Sequence, residues 1–111
     1  IVDTMHQRKA MMAELSDGFI ALPGGLGTFE ELFEIWTWAQ LGMHSKPIGL
    51  LNVASYFDLL LQFLDHATSQ QLLKPVHRDL LLVSNRPDAL LSQMQTAAPT
   101  TSTKWIDASQ T

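Results

Sequence analysis

The sequence predicts the α/β fold class, with a parallel β-sheet flanked by helices. Short apolar runs typical of buried strands alternate with longer amphipathic segments typical of helices, and a glycine-rich stretch joins the first strand to the next helix. Right-handed crossovers connect such strands, so they are expected to run parallel. We expect residues 1–96 to be the C-terminal part of one domain, incomplete at its N-terminus and extended by strands that precede Ile1. Residues 97–111, rich in Ala, Pro, Thr and Ser, are expected to form a poorly ordered tail.

The predicted elements follow the order α-β-α-β-α-β-α. Helices are expected over residues 5–15, 29–41, 56–69 and about 86–95. Side chains that can cap a helix precede three of them, namely Thr4, Thr28 and Asn85. Strands are expected over residues 17–22, 47–53 and 80–83, and the middle strand is apolar enough for burial on both faces. Residues 74–78 are expected to form a loop.

The composition argues against several classes of function. A net charge of −4 gives no basic surface for nucleic acid or for an anionic membrane. The absence of cysteine excludes disulfides, thiolate metal sites and a cysteine nucleophile, and it fits a cytoplasmic protein. No apolar run is long enough for a membrane span. The histidines are scattered without metal-ligand spacing, so we expect no metal.

The segment Pro23-Gly24-Gly25-Leu26-Gly27 lies between a predicted strand and a predicted helix. Glycine lets the backbone approach a ligand closely, and the free N–H groups at a helix start favour an anion. The hydroxyl of Thr28 adds one more donor. These residues alone predict a phosphate or carboxylate site. The alternative is a tight turn that needs glycine for its geometry only.

Two better-known phosphate loops do not fit this segment. A Walker loop has Lys-Ser or Lys-Thr after its last glycine, whereas Thr28-Phe29 follows Gly27 here. A dinucleotide-binding loop has a third glycine where this chain has Glu30. Nucleoside triphosphate hydrolysis and a nicotinamide-dependent oxidoreductase are therefore not favoured.

The segment from Pro23 to Glu31 fits the signature PGGxGTxxE of the Lonely Guy family of cytokinin-activating phosphoribohydrolases. Met5-His6-Gln7-Arg8-Lys9 resembles the family's M-x-x-R-K segment, and residues 36–42 and 46–52 resemble its bacterial members. The resemblance covers residues 4–95. It implies a Rossmann-like fold that needs no cofactor. It also implies a homodimer, and the apolar surface of the helix over 29–41 independently suggests one. The implied reaction hydrolyses AMP, a cytokinin riboside monophosphate or both, to free base and ribose 5-phosphate.

The resemblance implies that Glu31 and Arg8 are catalytic. A carboxylate would stabilise positive charge on the sugar and activate water, and a guanidinium would hold phosphate or stabilise the departing base. The implied substrate- and phosphate-binding residues are Met5, Lys9, Gly24, Gly25, Leu26, Gly27 and Thr28. In the alternative interpretation Glu31 only completes a capping box with Thr28, and Arg8 is a solvated helix residue.

Two other functions compete with the hydrolase. A binding module without turnover is one, because molybdenum-cofactor carrier proteins are similar in fold and glycine loop. A lysine decarboxylase is the other, since similar sequences sometimes carry that label. Decarboxylation needs pyridoxal phosphate on a lysine with a partner for its ring nitrogen, and no lysine in this sequence has such a context. The four lysines are Lys9, Lys46, Lys74 and Lys104.

Overall fold

The computed structural model describes residues 16–97, which form a parallel three-stranded sheet flanked by helices. The elements are β1 (Phe19–Ala21), α1 (Leu26–Gln40), β2 (Ile48–Leu51), a 3-10 turn (Val53–Ser55), α2 (Asp58–Ser69), α3 (Pro75–Arg78), β3 (Leu81–Ser84) and α4 (Pro87–Ala97). The predicted α/β class is confirmed. The predicted helix over 5–15 lies outside the described residues, as does the predicted tail over 97–111 except for Ala97, which ends α4.

The sheet has the order β1-β2-β3, with Phe19 opposite Ile48 and Ile48 opposite Leu81. Strand β2 therefore lies in the middle of the described sheet. Its Ile48 and Leu50 are buried on one face of the sheet, and the intervening Gly49 is buried on the other, where Met94 and Leu90 of α4 pack against it. The expected burial on both faces is therefore confirmed.

Strand β1 is less buried than the sequence predicted. Ile20 is 41% exposed, and Leu22, just beyond the strand, is 56% exposed. Within residues 16–97, β1 pairs with β2 alone, so its other edge is uncovered by any described element. An edge strand cannot be enclosed as a central strand is, which explains the difference.

The core lies between the sheet and helices α1 and α2. Helix α1 contributes Leu32, Ile35 and Trp36, and the segment leading into α2 contributes Phe57. The indole N–H of Trp36 donates to the carbonyl of His77 at 2.9 Å, so burial of this ring leaves no unpaired donor. The bond also joins α1 to α3. No helix in residues 16–97 is long and apolar enough to cross a membrane.

The predicted starts of two helices and one predicted loop are wrong. Helix α1 starts at Leu26 with Gly25 as its N-cap residue and without a side-chain cap, so Thr28 and Glu31 do not form a capping box. Residues 74–78 contain a helical turn rather than only a loop, because Pro75 supplies a backbone angle suited to the first helical position. Helix α4 begins at Pro87, and the Leu90 N–H donates to the Arg86 carbonyl at 2.9 Å, one residue beyond the predicted cap at Asn85.

Candidate functional site

The start of helix α1 presents unpaired backbone donors at the carboxyl end of β1. The first intrahelical bond joins the Phe29 N–H to the Gly25 carbonyl at 3.1 Å. The N–H groups of Leu26, Gly27 and Thr28 precede that bond, and no acceptor within residues 16–97 is assigned to them. The first turn also carries no acidic side chain that would offset the helix dipole. This helix start is therefore suited to an anion.

The glycines of the loop differ in what surrounds them. A Cβ added to Gly24 would collide with the side chain of Thr28, so glycine is needed there for packing. Among residues 16–97, a Cβ added to Gly25 or Gly27 would meet no atom within 4 Å, and neither residue has a positive φ. Packing against Thr28 therefore accounts for Gly24 but not for the other two glycines. Open space beside them permits close approach of a ligand.

A cavity of about 410 Å³ lies next to this loop. Its helical wall consists of four α1 residues at the spacing i, i+3, i+4 and i+7, which places them on one face of the helix. These are Thr28, Glu31, Leu32 and Ile35. The opposite wall is residues 18–23 together with Ile48. The polar side chains of the helical wall, Thr28 and Glu31, are nearer the helix start, and the apolar Leu32 and Ile35 lie further along the helix. This order suits a ligand with a polar and an apolar part.

Glu31 lies one helical turn beyond Thr28 on this wall and is exposed to solvent. Because the helix starts at Leu26, Glu31 is too far along the helix to cap it. The neighbouring Glu30 does not line the cavity. Within the described part of the chain, no group of three His, Asp or Glu side chains could hold a metal ion.

The structure brings together Thr28 and Glu31, two of the residues implied by the motif. Gly24, Gly25, Leu26 and Gly27 lie in the adjacent loop and helix start without lining the cavity, and the Leu26 side chain is 87% exposed. The remaining site residues of the sequence prediction, Met5, Arg8 and Lys9, lie outside the described residues.

Tyr56 is a residue of this site that no sequence pattern indicated. Its hydroxyl donates a hydrogen bond to the carbonyl of Gly24, which lies 32 residues earlier in the chain. Tyr56 follows the end of β2 closely, and the carboxyl ends of neighbouring parallel strands share one edge of a sheet. Its place shortly after a predicted strand was therefore the one feature of the sequence that could have indicated a position near the glycine loop.

Fold and loop together define an α/β protein in which a helix start suited to an anion lies at the carboxyl end of a parallel sheet. A family model described as possible lysine decarboxylase matches residues 1–94, and the chain belongs to that family.

Named relatives of the chain are plant phosphoribohydrolases. Over 98 residues it is 50% identical to a protein of Oryza sativa subsp. japonica named as a probable cytokinin riboside 5′-monophosphate phosphoribohydrolase, a match that covers 88% of this chain and 39% of the rice protein. It is also 50% identical over 98 residues to a cytokinin riboside 5′-monophosphate phosphoribohydrolase of Arabidopsis thaliana, with 88% and 46% covered. The chain thus spans less than half the length of these relatives. They confirm the resemblance that the PGGxGTxxE segment indicated.

Proposed function

We propose that this protein hydrolyses the N-glycosidic bond of nucleoside 5′-monophosphates, giving a free base and ribose 5-phosphate. One arrangement carries the proposal. Helix α1 offers unpaired N–H groups at Leu26, Gly27 and Thr28, and it places Glu31 on a cavity wall one turn later. A single rigid helix can thus bind the phosphate at its start and hold the carboxylate beside the sugar. The names of the plant relatives support the same reaction.

In the proposed reaction the bond between the base nitrogen and the anomeric carbon breaks. Its electron pair leaves with the base, which takes up a proton, and the sugar becomes positively charged as in glycoside hydrolysis. The Glu31 carboxylate stabilises that charge and accepts a proton from the water that attacks the anomeric carbon. The water oxygen becomes the new hydroxyl of ribose 5-phosphate.

The roles of the residues before Ser16 rest on the family resemblance. We assign to Arg8 the stabilisation of the departing base or of the phosphate, because a guanidinium binds either through paired hydrogen bonds. Lys9 is assigned to the phosphate and Met5 to packing against the base. Gly24, Gly25, Leu26, Gly27 and Thr28 remain the proposed phosphate loop.

A non-catalytic nucleotide- or molybdenum-cofactor-binding protein is the second candidate, because the same helix start would bind an anion without turnover. Glu31 on the cavity wall favours the hydrolase, since a carboxylate repels an anionic ligand and needs another reason to be there. For the decarboxylase named in the family description, a lysine would have to hold the cofactor. No lysine of residues 16–97 lines the cavity.

We further propose a cytoplasmic homodimer in which this chain corresponds to the C-terminal portion of a bacterial-type member. Several large apolar side chains of the described residues are exposed at the end of α1 and on α2, and a second subunit would cover them. They include Leu41 and Met43 near the end of α1, and Leu59 and Phe63 on α2.

The deciding experiment is a product assay on the full-length protein with AMP and with isopentenyladenosine monophosphate. We expect equal amounts of base and ribose 5-phosphate, and the relative rates identify the preferred base. Glu31→Gln should lower kcat by about 10²- to 10⁴-fold. Its affinity for ribose 5-phosphate should be kept, because the amides remain. Arg8→Ala should also lower kcat/KM.

Glu30→Gln is the matched control, because it changes the same side chain one residue away from the cavity wall. We expect it to keep its rate within about twofold, as exposed substitutions usually do. Nucleotide binding without base release from either substrate would support the binding protein instead. Full activity of both Glu31→Gln and Arg8→Ala would show that their assigned roles are wrong.

A further inference from the structure

The loop between β2 and α2 holds Tyr56 against the glycine loop. Ala54 and Ser55, just before it, have φ values of 52° and 60°, a left-handed conformation that residues other than glycine adopt rarely. Such strained positions persist only where the surroundings determine them, and they cluster at functional sites.

Asn52 supplies those surroundings through three hydrogen bonds. Its backbone N–H donates to the Ser84 carbonyl at 2.8 Å, which fixes the loop to β3. Its side-chain oxygen accepts from the Phe57 N–H at 2.8 Å, and its side-chain nitrogen donates to Asp58 at 2.7 Å. The strained segment is therefore held at both ends, and the position of Tyr56 is fixed by the fold.

The Tyr56 ring rests edge-to-face on Phe57, with ring centroids 4.9 Å apart, and its hydroxyl donates to the Gly24 carbonyl. In a trans peptide the C=O and the following N–H point in opposite directions. No cis peptide occurs in residues 16–97, so this bond also fixes the direction of the Gly25 N–H. Between two glycines the peptide would otherwise rotate with little steric resistance.

We propose that Tyr56 is a positioning residue for the phosphate of the substrate, an inference that rests on the proposed function. Its hydrogen bond to the Gly24 carbonyl keeps the Gly24–Gly25 peptide from turning its oxygen toward the anion. The Gly25 N–H then joins those of Leu26, Gly27 and Thr28 as a preorganised set of donors. Preorganisation of this kind strengthens binding because the loop loses little freedom when the ligand arrives.

The variant Tyr56→Phe tests this proposal, because it removes the hydroxyl and keeps the ring on Phe57. With the full-length protein, we expect calorimetric titration to show ribose 5-phosphate bound about two- to tenfold more weakly, the effect of one hydrogen bond. The affinity for adenosine, which has no phosphate, should be unchanged. In steady-state kinetics with AMP, KM should rise by the same factor at constant kcat, because the phosphate is held equally before and during reaction.

Thr37→Val is the matched control, since it also removes a hydroxyl that donates to a backbone carbonyl, here that of Phe33 at 2.6 Å in α1. We expect it to leave both affinities unchanged. Unchanged ribose 5-phosphate affinity in Tyr56→Phe, or an equal loss for ribose 5-phosphate and adenosine, would overturn the proposal. A wild-type protein that binds ribose 5-phosphate but releases no base would contradict the hydrolase alone. A wild-type protein that does not bind ribose 5-phosphate would overturn both.

Discussion

Gly27 at the start of α1 and Gly49 in the middle of β2 both have ordinary backbone angles, but their surroundings differ. A Cβ on Gly49 would lie 2.8 Å from the sulfur of Met94 and 3.0 Å from a methyl carbon of Leu90. A Cβ on Gly27 would meet no atom of residues 16–97 within 4 Å. One glycine is required by the packing of α4 on the sheet. The other leaves space that the described protein does not use.

The difference separates structural glycine from glycine that can serve a ligand. Helix interiors disfavour glycine by about 0.5–1 kcal/mol relative to alanine, so Gly27 lowers the stability of α1 without improving its packing. A residue that is unfavourable for the fold and unneeded by its neighbours requires another explanation. Contact between the backbone and a bound anion supplies one.

The largest effect is expected for Gly27→Ala. Its methyl group would occupy the space into which the phosphate approaches, so ribose 5-phosphate should bind about 10- to 100-fold more weakly, as for overpacking of a filled site. The free energy of unfolding should stay the same or rise by up to about 1 kcal/mol, because alanine favours the helix. Calorimetric titration and urea denaturation measure the two effects.

Gly42→Ala is the control at the other end of α1. Gly42 has a φ of 80°, so alanine would be strained there and should lower stability without changing ligand affinity. If Gly27→Ala and Gly42→Ala behave alike, Gly27 has no special relation to a ligand.

For Gly49→Ala we expect the opposite pattern from Gly27→Ala. The new methyl group would press on Met94 and Leu90, both flexible side chains, and should lower the free energy of unfolding by about 1–2 kcal/mol. Ribose 5-phosphate affinity of the folded variant should be retained. A second substitution, Met94→Ala, would make room for the new methyl group. The double variant should therefore lose less free energy of unfolding than the sum of the losses in the two single variants. Strict additivity in urea denaturation would contradict the contact.

Ala54 is the reverse case, because its backbone has a positive φ that favours glycine but the residue is alanine. Ala54→Gly should raise the free energy of unfolding by about 0.5–1 kcal/mol through relief of left-handed strain. Ala67→Gly in α2 is the matched control and should lower it by a similar amount. A loss of stability in both variants by thermal denaturation would mean that Ala54 is not strained.

The smallest effect is expected on the pH dependence of folding stability, through His44. This side chain lies outside the glycine loop and does not line the cavity. Its Nδ1 accepts from the Lys46 N–H at 3.1 Å, so the ring is neutral with its proton on Nε2, 2.9 Å from the Ile35 carbonyl. Burial lowers the pKa of His44, partly opposed by the bond to Ile35 and aided by the charge of Lys46. The unfolded chain therefore binds a proton at higher pH than the folded chain does.

Stability should accordingly fall as the pH drops below the unfolded-state value of about 6.5 and level off below the folded-state pKa. Urea denaturation between pH 7.5 and 5 measures the slope, and His44→Gln should reduce it. An unchanged slope in His44→Gln would assign the pH dependence to other groups.

The sequence predicted those parts of the fold that depend on local pattern. Continuous apolar residues identified β2 as a strand buried on both faces, and the alternation of such runs with amphipathic segments identified the α/β class. The start of α1 was misplaced because Thr28 is a stronger capping residue than Gly25 in sequence statistics. Tertiary placement of the glycine loop allowed the helix to begin earlier.

Only those parts of the candidate site that are close together in the sequence could be predicted from it. The glycine segment and Glu31 are neighbours in one motif and were found together. The bond from Tyr56 to Gly24 joins two loops at the ends of different strands, and no local pattern in the sequence indicates such a contact. The apolar cavity wall formed by Ile35 and Ile48 likewise depends on how α1 lies across the sheet.

The most direct test is an ¹H–¹⁵N NMR titration of the full-length protein with ribose 5-phosphate. Amides that donate to the phosphate should shift strongly, so we predict large, saturable changes for Leu26, Gly27 and Thr28 and little change for Gly49. Saturation of the protein with those three amides unmoved, and the largest shifts elsewhere, would contradict the account.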